Sequence, residues 1–194
     1  MSGDPKDAAP RALARFFHHR WALPALAHVA KDGGCKFVTL HKRLGVAPPV
    51  LRRTLAQLGQ LDLVVRNTGY GHPLRPEYVL GDLGKEVASP AQRLWQWIEE
   101  AEVERSLLKK WSLPALTVIG LGAERFSEIN RLLVGATPRA TTLALKELVA
   151  VDLASRSIGD GYPPTPYYAL VRRARRPLAH ARALSAPLVQ ALVA

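Results

Sequence analysis

The chain repeats itself. Lys110-Trp111-Ser112-Leu113-Pro114-Ala115-Leu116 restates Arg20-Trp21-Ala22-Leu23-Pro24-Ala25-Leu26 at an offset of 90, read from Lys110 against Arg20. Phe126, Ile129 and Leu133 answer Phe37, Leu40 and Leu44 at an offset of 89, and the slip is taken up near Val134-Gly135. Beyond it, Pro138, Leu145, Leu148, Asp152, Leu153 and Arg156 answer Pro48, Leu55, Leu58, Asp62, Leu63 and Arg66. Pro163, Pro166, Tyr168 and Leu170 answer Pro73, Pro76, Tyr78 and Leu80. Prolines, aromatics and leucines kept in one order mark a duplicated unit rather than chance periodicity. The 194 residues must therefore fold as two small related units.

In the first unit, a helix is expected from about Pro10 to Arg20, with Leu13, Phe16 and Phe17 inward. A second runs from Trp21 to about Ala30 and ends at Asp32-Gly33-Gly34. Lys36-Phe37-Val38 reads as a very short strand. Thr39 then caps a helix that turns Leu40 and Leu44 inward and stops at Gly45. Pro48 opens a helix to about Gln60, where Leu51, Leu55 and Leu58 form a buried stripe and Pro49, Arg52, Arg53 and Ala56 point elsewhere. Leu63 to Arg66 is a strand and Pro76 to Leu80 its partner. The loop between them contains Gly69 and Gly71 and is too long for a two-residue hairpin turn. A helix with a basic outer face beside a hairpin with a basic tip is the layout of a winged helix-turn-helix.

Ser89-Pro90 reads as a capping serine and a first-turn proline. One long helix then follows from Ala91 to Lys110, apolar at Leu94, Trp97, Ile98, Ala101 and Leu108 and acidic at Glu99, Glu100, Glu102 and Glu104. The expected division is a winged helix domain over 10–88, a linking helix over 89–110, a second winged helix domain over 111–174, and a C-terminal packing or dimerisation helix over 175–194, itself helical from about Pro177 to Leu192. The fold class is mainly α with small β-wings, α+β: two tandem winged helix-turn-helix domains joined by a long helix.

The candidate DNA-contacting residues follow from that layout. In the first unit they are Pro49, Arg52 and Arg53 on the reading helix and Arg66, His72 and Arg75 on the wing. In the second they are Arg139, Thr142 and Lys146 on the helix, Arg156 on the wing strand, and Arg172, Arg173, Arg175 and Arg176 just beyond it. The copies differ where a groove would be read. Leu143 replaces Arg53, Thr141 replaces the core Leu51, and the second wing carries Asp160. The first head is expected to carry the specificity, and the second to hold backbone or a partner.

Charge supports a polyanionic partner. The formal charge is +11, and both halves share it: residues 1–90 carry 13 Lys and Arg against 7 Asp and Glu, and residues 91–194 carry 14 against 9. Cys35 is the only cysteine, which rules out an intrachain disulfide and a cysteine-based metal site. No apolar run reaches membrane-spanning length, and the N-terminus lacks an apolar signal core. A cytoplasmic, nucleoid-associated location is expected. Enzymatic chemistry finds no support: no phosphate-cradling glycine loop or triad order stands out, and His18, His19, His28, His41, His72 and His180 are not spaced as ligands. No metal or cofactor is expected.

Pro73-Leu74-Arg75-Pro76-Glu77-Tyr78-Val79-Leu80-Gly81-Asp82-Leu83-Gly84 resembles the wing and following helix start of HxlR-type regulators, within the MarR-like winged-helix group. Gly81 stands where that family usually has threonine. Trp21, and Phe37 before Leu40, fit the same pattern. The resemblance covers most of residues 15–90 and, more faintly, 108–172. It implies single-domain relatives that dimerise through terminal helices, so this chain looks like a covalent pseudo-dimer whose DNA site need not be palindromic. Some relatives sense redox through an N-terminal cysteine; Cys35 is not at that position. The expected function is double-stranded DNA binding, as a transcriptional regulator with helices entering grooves about 34–36 Å apart. A homodimer through terminal or linking helices would be a further assembly. The alternatives are a sequence-tolerant architectural or repair factor, or a protein-interaction scaffold in which Trp95, Trp97 and Leu143 meet a partner.

Overall fold

The computed structural model describes residues 5–67, 76–162 and 164–193. The first unit runs α1 (Pro5–Phe16), α2 (Ala22–Asp32), β1 (Cys35–Lys36), α3 (Phe37–Leu44), α4 (Pro48–Gln60), β2 (Val64–Asn67), β3 (Glu77–Leu80) and α5 (Asp82–Glu100). The second runs α6 (Glu104–Leu107), α7 (Ser112–Gly120), α8 (Phe126–Leu132), α9 (Pro138–Ala150), β4 (Ala154–Ile158), β5 (Pro166–Leu170), a 3-10 turn (Arg172–Ala174) and α10 (Arg175–Val193). This is the expected α+β architecture of two winged units.

The first sheet has the antiparallel order β1-β3-β2 and the second pairs β4 with β5. The register repeats as the sequence does, with Arg66 opposite Tyr78 and Arg156 opposite Tyr168. Among the described residues, the third strand of the first sheet survives in the second only as a bridge between Arg125 and Tyr167. That bridge falls where Lys36 meets Glu77 in the first unit.

The two helices expected to read DNA, α4 and α9 (the reading helices below), form where the leucine stripe put them. Leu51, Leu55 and Leu58 are buried in α4, as are Leu145 and Leu148 in α9. Thr141 is fully buried in the place of Leu51 and donates its hydroxyl to Asn130 Oδ1 at 2.8 Å, so the substitution leaves no unpaired polar group.

α4, α5 and α9 end in one motif. The residue after the cap is left-handed and acidic: Asp62 (φ 52°), Glu102 (φ 55°) and Asp152 (φ 56°). The next residue, always apolar and buried, donates its N–H back to the helix: Leu63 to Leu58, Val103 to Ile98, Leu153 to Leu148. This is a Schellman closure without its customary glycine. It corrects the expected long helix over Ala91–Lys110: α5 stops at Glu100, and a short α6 follows.

The start of α5 is also corrected. Ser89 and Pro90 lie inside the helix, which opens at Asp82. Gly81 donates its N–H to Leu63 O at 3.2 Å and Gly84 donates to Asp62 O at 3.2 Å. This pins the chain against the α4–β2 turn and launches the helix at once. A Cβ on Gly84 would come within 2.0 Å of Leu63 O, so only glycine fits. Pro90 is buried in the helix interior, where it forgoes the backbone hydrogen bond to the preceding turn. Smaller shifts occur elsewhere. α1 ends at Phe16 rather than Arg20, and α3 begins at Phe37 with Lys36 rather than Thr39 at its N-cap.

The two units share one apolar core. α5 and its counterpart α10 make the most extensive helix contact in the molecule, and α1 of the first unit packs on α7 and α10 of the second. α10 thus finds its partner within the chain.

Candidate nucleic-acid interface

Each reading helix turns one face outward. On α4 the side chains of Pro49, Arg52, Arg53 and Ala56 are exposed. Leu51, Thr54, Leu55 and Leu58 are buried, so the 3.6-residue period aims Arg53 directly away from the core and Arg52 along the flank. The Arg52 guanidinium stacks over Phe37 at 5.7 Å from the ring centre. On α9 the outward positions are Arg139, Leu143 and Lys146, all exposed. Thr142 is half-buried and donates its hydroxyl proton back to Pro138 O at 2.8 Å, so that donor is already committed.

Arg66 on β2 and Arg156 on β4 are exposed on the wing strands. His72 and Arg75 lie outside the described residues. Arg172, Arg175 and Arg176 are exposed around the start of α10. Arg173 differs from them: its Nη1 donates to Val151 O and its Nη2 to Ala101 O, each at 3.3 Å. Though exposed itself, it ties the C-terminus of α9 to that of α5, as a strut on the surface. The sequence spacing brings the two reading helices and two wings into equivalent settings, but it does not mark Arg173 off from its neighbours.

Sequence reasoning missed three features. Lys42 on α3 and Arg131 on α8, equivalent at an offset of 89, are exposed cations on the helix preceding each reader. Arg125, at the N-cap of α8, stacks on Tyr167 of β5 at 5.6 Å. Gln57 and Glu147 each anchor a reading helix: Gln57 Nε2 donates to Arg15 O and Phe16 O, and Glu147 accepts from Ser106 and Lys109. The repeat alignment held the signal for the first and third, because each pair shares one column.

The local field is positive. His19 is held below the ordinary histidine range by burial first, then by His18 and the Arg53 charge. Burial, then Arg93 and Arg176, does the same to His180. Both therefore stay neutral near pH 7 and leave the arginines as the fixed charges. Burial raises the Cys35 thiol above its usual value, and the side chain is 3% exposed. Among the described residues, no three His, Cys, Asp or Glu side chains gather to hold a metal. No described helix is long and apolar enough to cross a membrane.

Two clefts occupy related positions beside the turns of Asp62 and Asp152. The first, about 280 Å³, lies between α1, α5 and α10 and includes Phe16, Leu61, Leu83 and Leu188. The second, about 760 Å³ and open, includes Trp97, Arg172, Arg173 and Arg176.

The comparisons with known proteins agree with this geometry. No curated protein and no solved structure matches the chain. A family model described as HxlR-like helix-turn-helix matches it twice, over residues 16–105 and 106–185, so that each match takes in one reading helix and one wing. The chain belongs to the HxlR-like helix-turn-helix family of regulators, as two family units carried in tandem on one polypeptide.

Proposed function

We propose that the protein is a transcriptional regulator that binds duplex DNA with both winged units at once and reads sequence mainly through the first. The observation that carries this is the outward face of α4, where Arg53 is exposed and Arg52 is braced on Phe37. A guanidinium in the major groove pairs in a bidentate manner with guanine. Arg66, Arg156, Arg172, Arg175 and Arg176 then supply phosphate contacts, with Lys42 and Arg131 beside the readers. The two outward faces carry different residues, so the preferred site is asymmetric rather than palindromic.

An electrophoretic shift across a salt series tests the reading. Binding should weaken steeply with salt as counterions are recaptured, and Arg53→Ala should weaken it on a preferred site. Failure to bind any duplex at low salt would overturn it. The second reading is a sequence-tolerant architectural role for the whole protein, favoured by the Thr142 hydroxyl's bond to its own helix, which leaves it no donor for a base edge. Selection from a random duplex pool separates the two: an enriched motif supports the regulator, and firm binding without enrichment supports the architectural role.

A further inference from the structure

The second reading helix turns an apolar side chain outward. Leu143 is 53% exposed in the middle of the outward face of α9, with Arg139 one turn before it and Lys146 one turn after. Thr141, Ala144, Leu145 and Leu148 take the buried side, so the helical period aims Leu143 away from the core. It stands in the repeat column that Arg53 fills on α4. Beside it, the Thr142 hydroxyl donates its proton to Pro138 O, so the threonine offers its methyl and an acceptor oxygen but no donor. Neither side chain presents a donor to a guanine edge.

A single exposed leucine is ordinary on a protein surface. This one is set apart by its place, at the centre of a reading face and bracketed by two exposed cations that favour a polyanion. In the major groove the apolar feature of a base pair is the C5-methyl of thymine, which aliphatic side chains match. We infer that Leu143, with the Thr142 methyl, makes the second head a reader of thymine methyl groups. The bound duplex then carries guanine toward the first head and thymine toward the second. This inference rests on the DNA-binding reading above.

The test uses the full-length protein and duplexes enriched from a random pool, resynthesised with deoxyuridine for thymidine in one half-site at a time. Uracil pairs as thymine does and lacks only the methyl. Affinity should fall about fourfold for each methyl lost from the half facing the second head, by analogy with one buried methylene, and should hold in the other half. Leu143→Ala, an exposed substitution that leaves the fold intact, should discriminate the two versions of that half less than the wild type does, because only the Thr142 and alanine methyls remain. Wild-type affinity unchanged by uracil in either half would overturn the inference and leave DNA binding standing. So would a Leu143→Ala variant as methyl-sensitive as the wild type, or a pool in which thymine is not enriched. Absence of binding to any duplex at low salt would overturn both readings.

Discussion

Gln57 and Glu147 hold the same post in the two units with opposite hydrogen-bonding chemistry. Gln57 Nε2 on α4 donates to Arg15 O at 2.7 Å and Phe16 O at 3.1 Å. Ninety positions on, Glu147 on α9 accepts from Ser106 Oγ at 2.7 Å and pairs with Lys109. Each ties a reading helix to the segment that precedes the Trp21 or Trp111 turn. The first tie is neutral and the second is ionic, so of the two only the second responds to acid.

That contrast sets a pH prediction. Lys109 first, then Ser106, holds the Glu147 carboxyl below the usual carboxylate range. A depressed folded-state value stabilises above the unfolded value and is lost as pH falls through the folded one. Glu147→Gln should therefore be less stable than wild type at neutral pH, and the difference should vanish in strong acid. Gln57→Glu should behave oppositely, because a carboxylate facing two carbonyls is repelled until it is protonated. Urea midpoints at pH 7, 5 and 3 check both. Parallel curves for wild type and Glu147→Gln would show that the pair contributes nothing.

Asp62 and Asp152 share a left-handed turn but not its uses. Asp62 Oδ2 also accepts from the N–H groups of Asp82 at 3.1 Å and Leu83 at 3.4 Å, capping α5 across the wing. Among the described residues Asp152 makes no such bond to the start of α10. Asp62→Ala should therefore cost about 1 kcal/mol more than Asp152→Ala, the usual worth of a cap. Paired denaturation curves measure the difference. Equal losses would mean that the turn conformation alone matters.

Gly84 has no room for a methyl group, with Leu63 O 2.0 Å from its ideal Cβ. The second unit has Ala174 at that place and opens α10 through a 3-10 turn instead. Gly84→Ala should cost about 1–3 kcal/mol by overpacking. Ala174→Gly should cost about 1 kcal/mol through backbone freedom and lost burial. Thermal unfolding of the two variants ranks them, and a harmless Gly84→Ala would contradict the close packing of α5 on the α4–β2 turn.

The arginines should separate by experiment. Arg53→Ala should cost about 1–3 kcal/mol on a preferred duplex and relax preference at one base position. Arg172→Ala, Arg175→Ala and Arg176→Ala should each weaken all duplexes alike and lower the salt slope by about one. Arg173→Ala should instead lower folding stability by about 1–2 kcal/mol, since two carbonyl bonds to Ala101 and Val151 go with it. Affinity across a salt series and urea unfolding of the same proteins distinguish the classes.

Local pattern and repetition were enough for much of this molecule. The sequence by itself determined the duplication, the Pro48–Gln60 reading helix, the pairing of wing strands and the basic outward face of α4, because leucine spacing, turn residues and proline placement act over a few neighbours. It misplaced the end of α5 because Glu102 takes a left-handed turn that glycine usually marks. It misplaced the start because the fit of Gly84 against Leu63, a contact across the wing, launches the helix early. Only the tertiary structure decided that α5 and α10 close one shared core and that Arg173 is a strut among arginines of identical sequence appearance. These depend on which distant backbone groups come within hydrogen-bonding or packing distance once the chain has folded, and no local spacing encodes that.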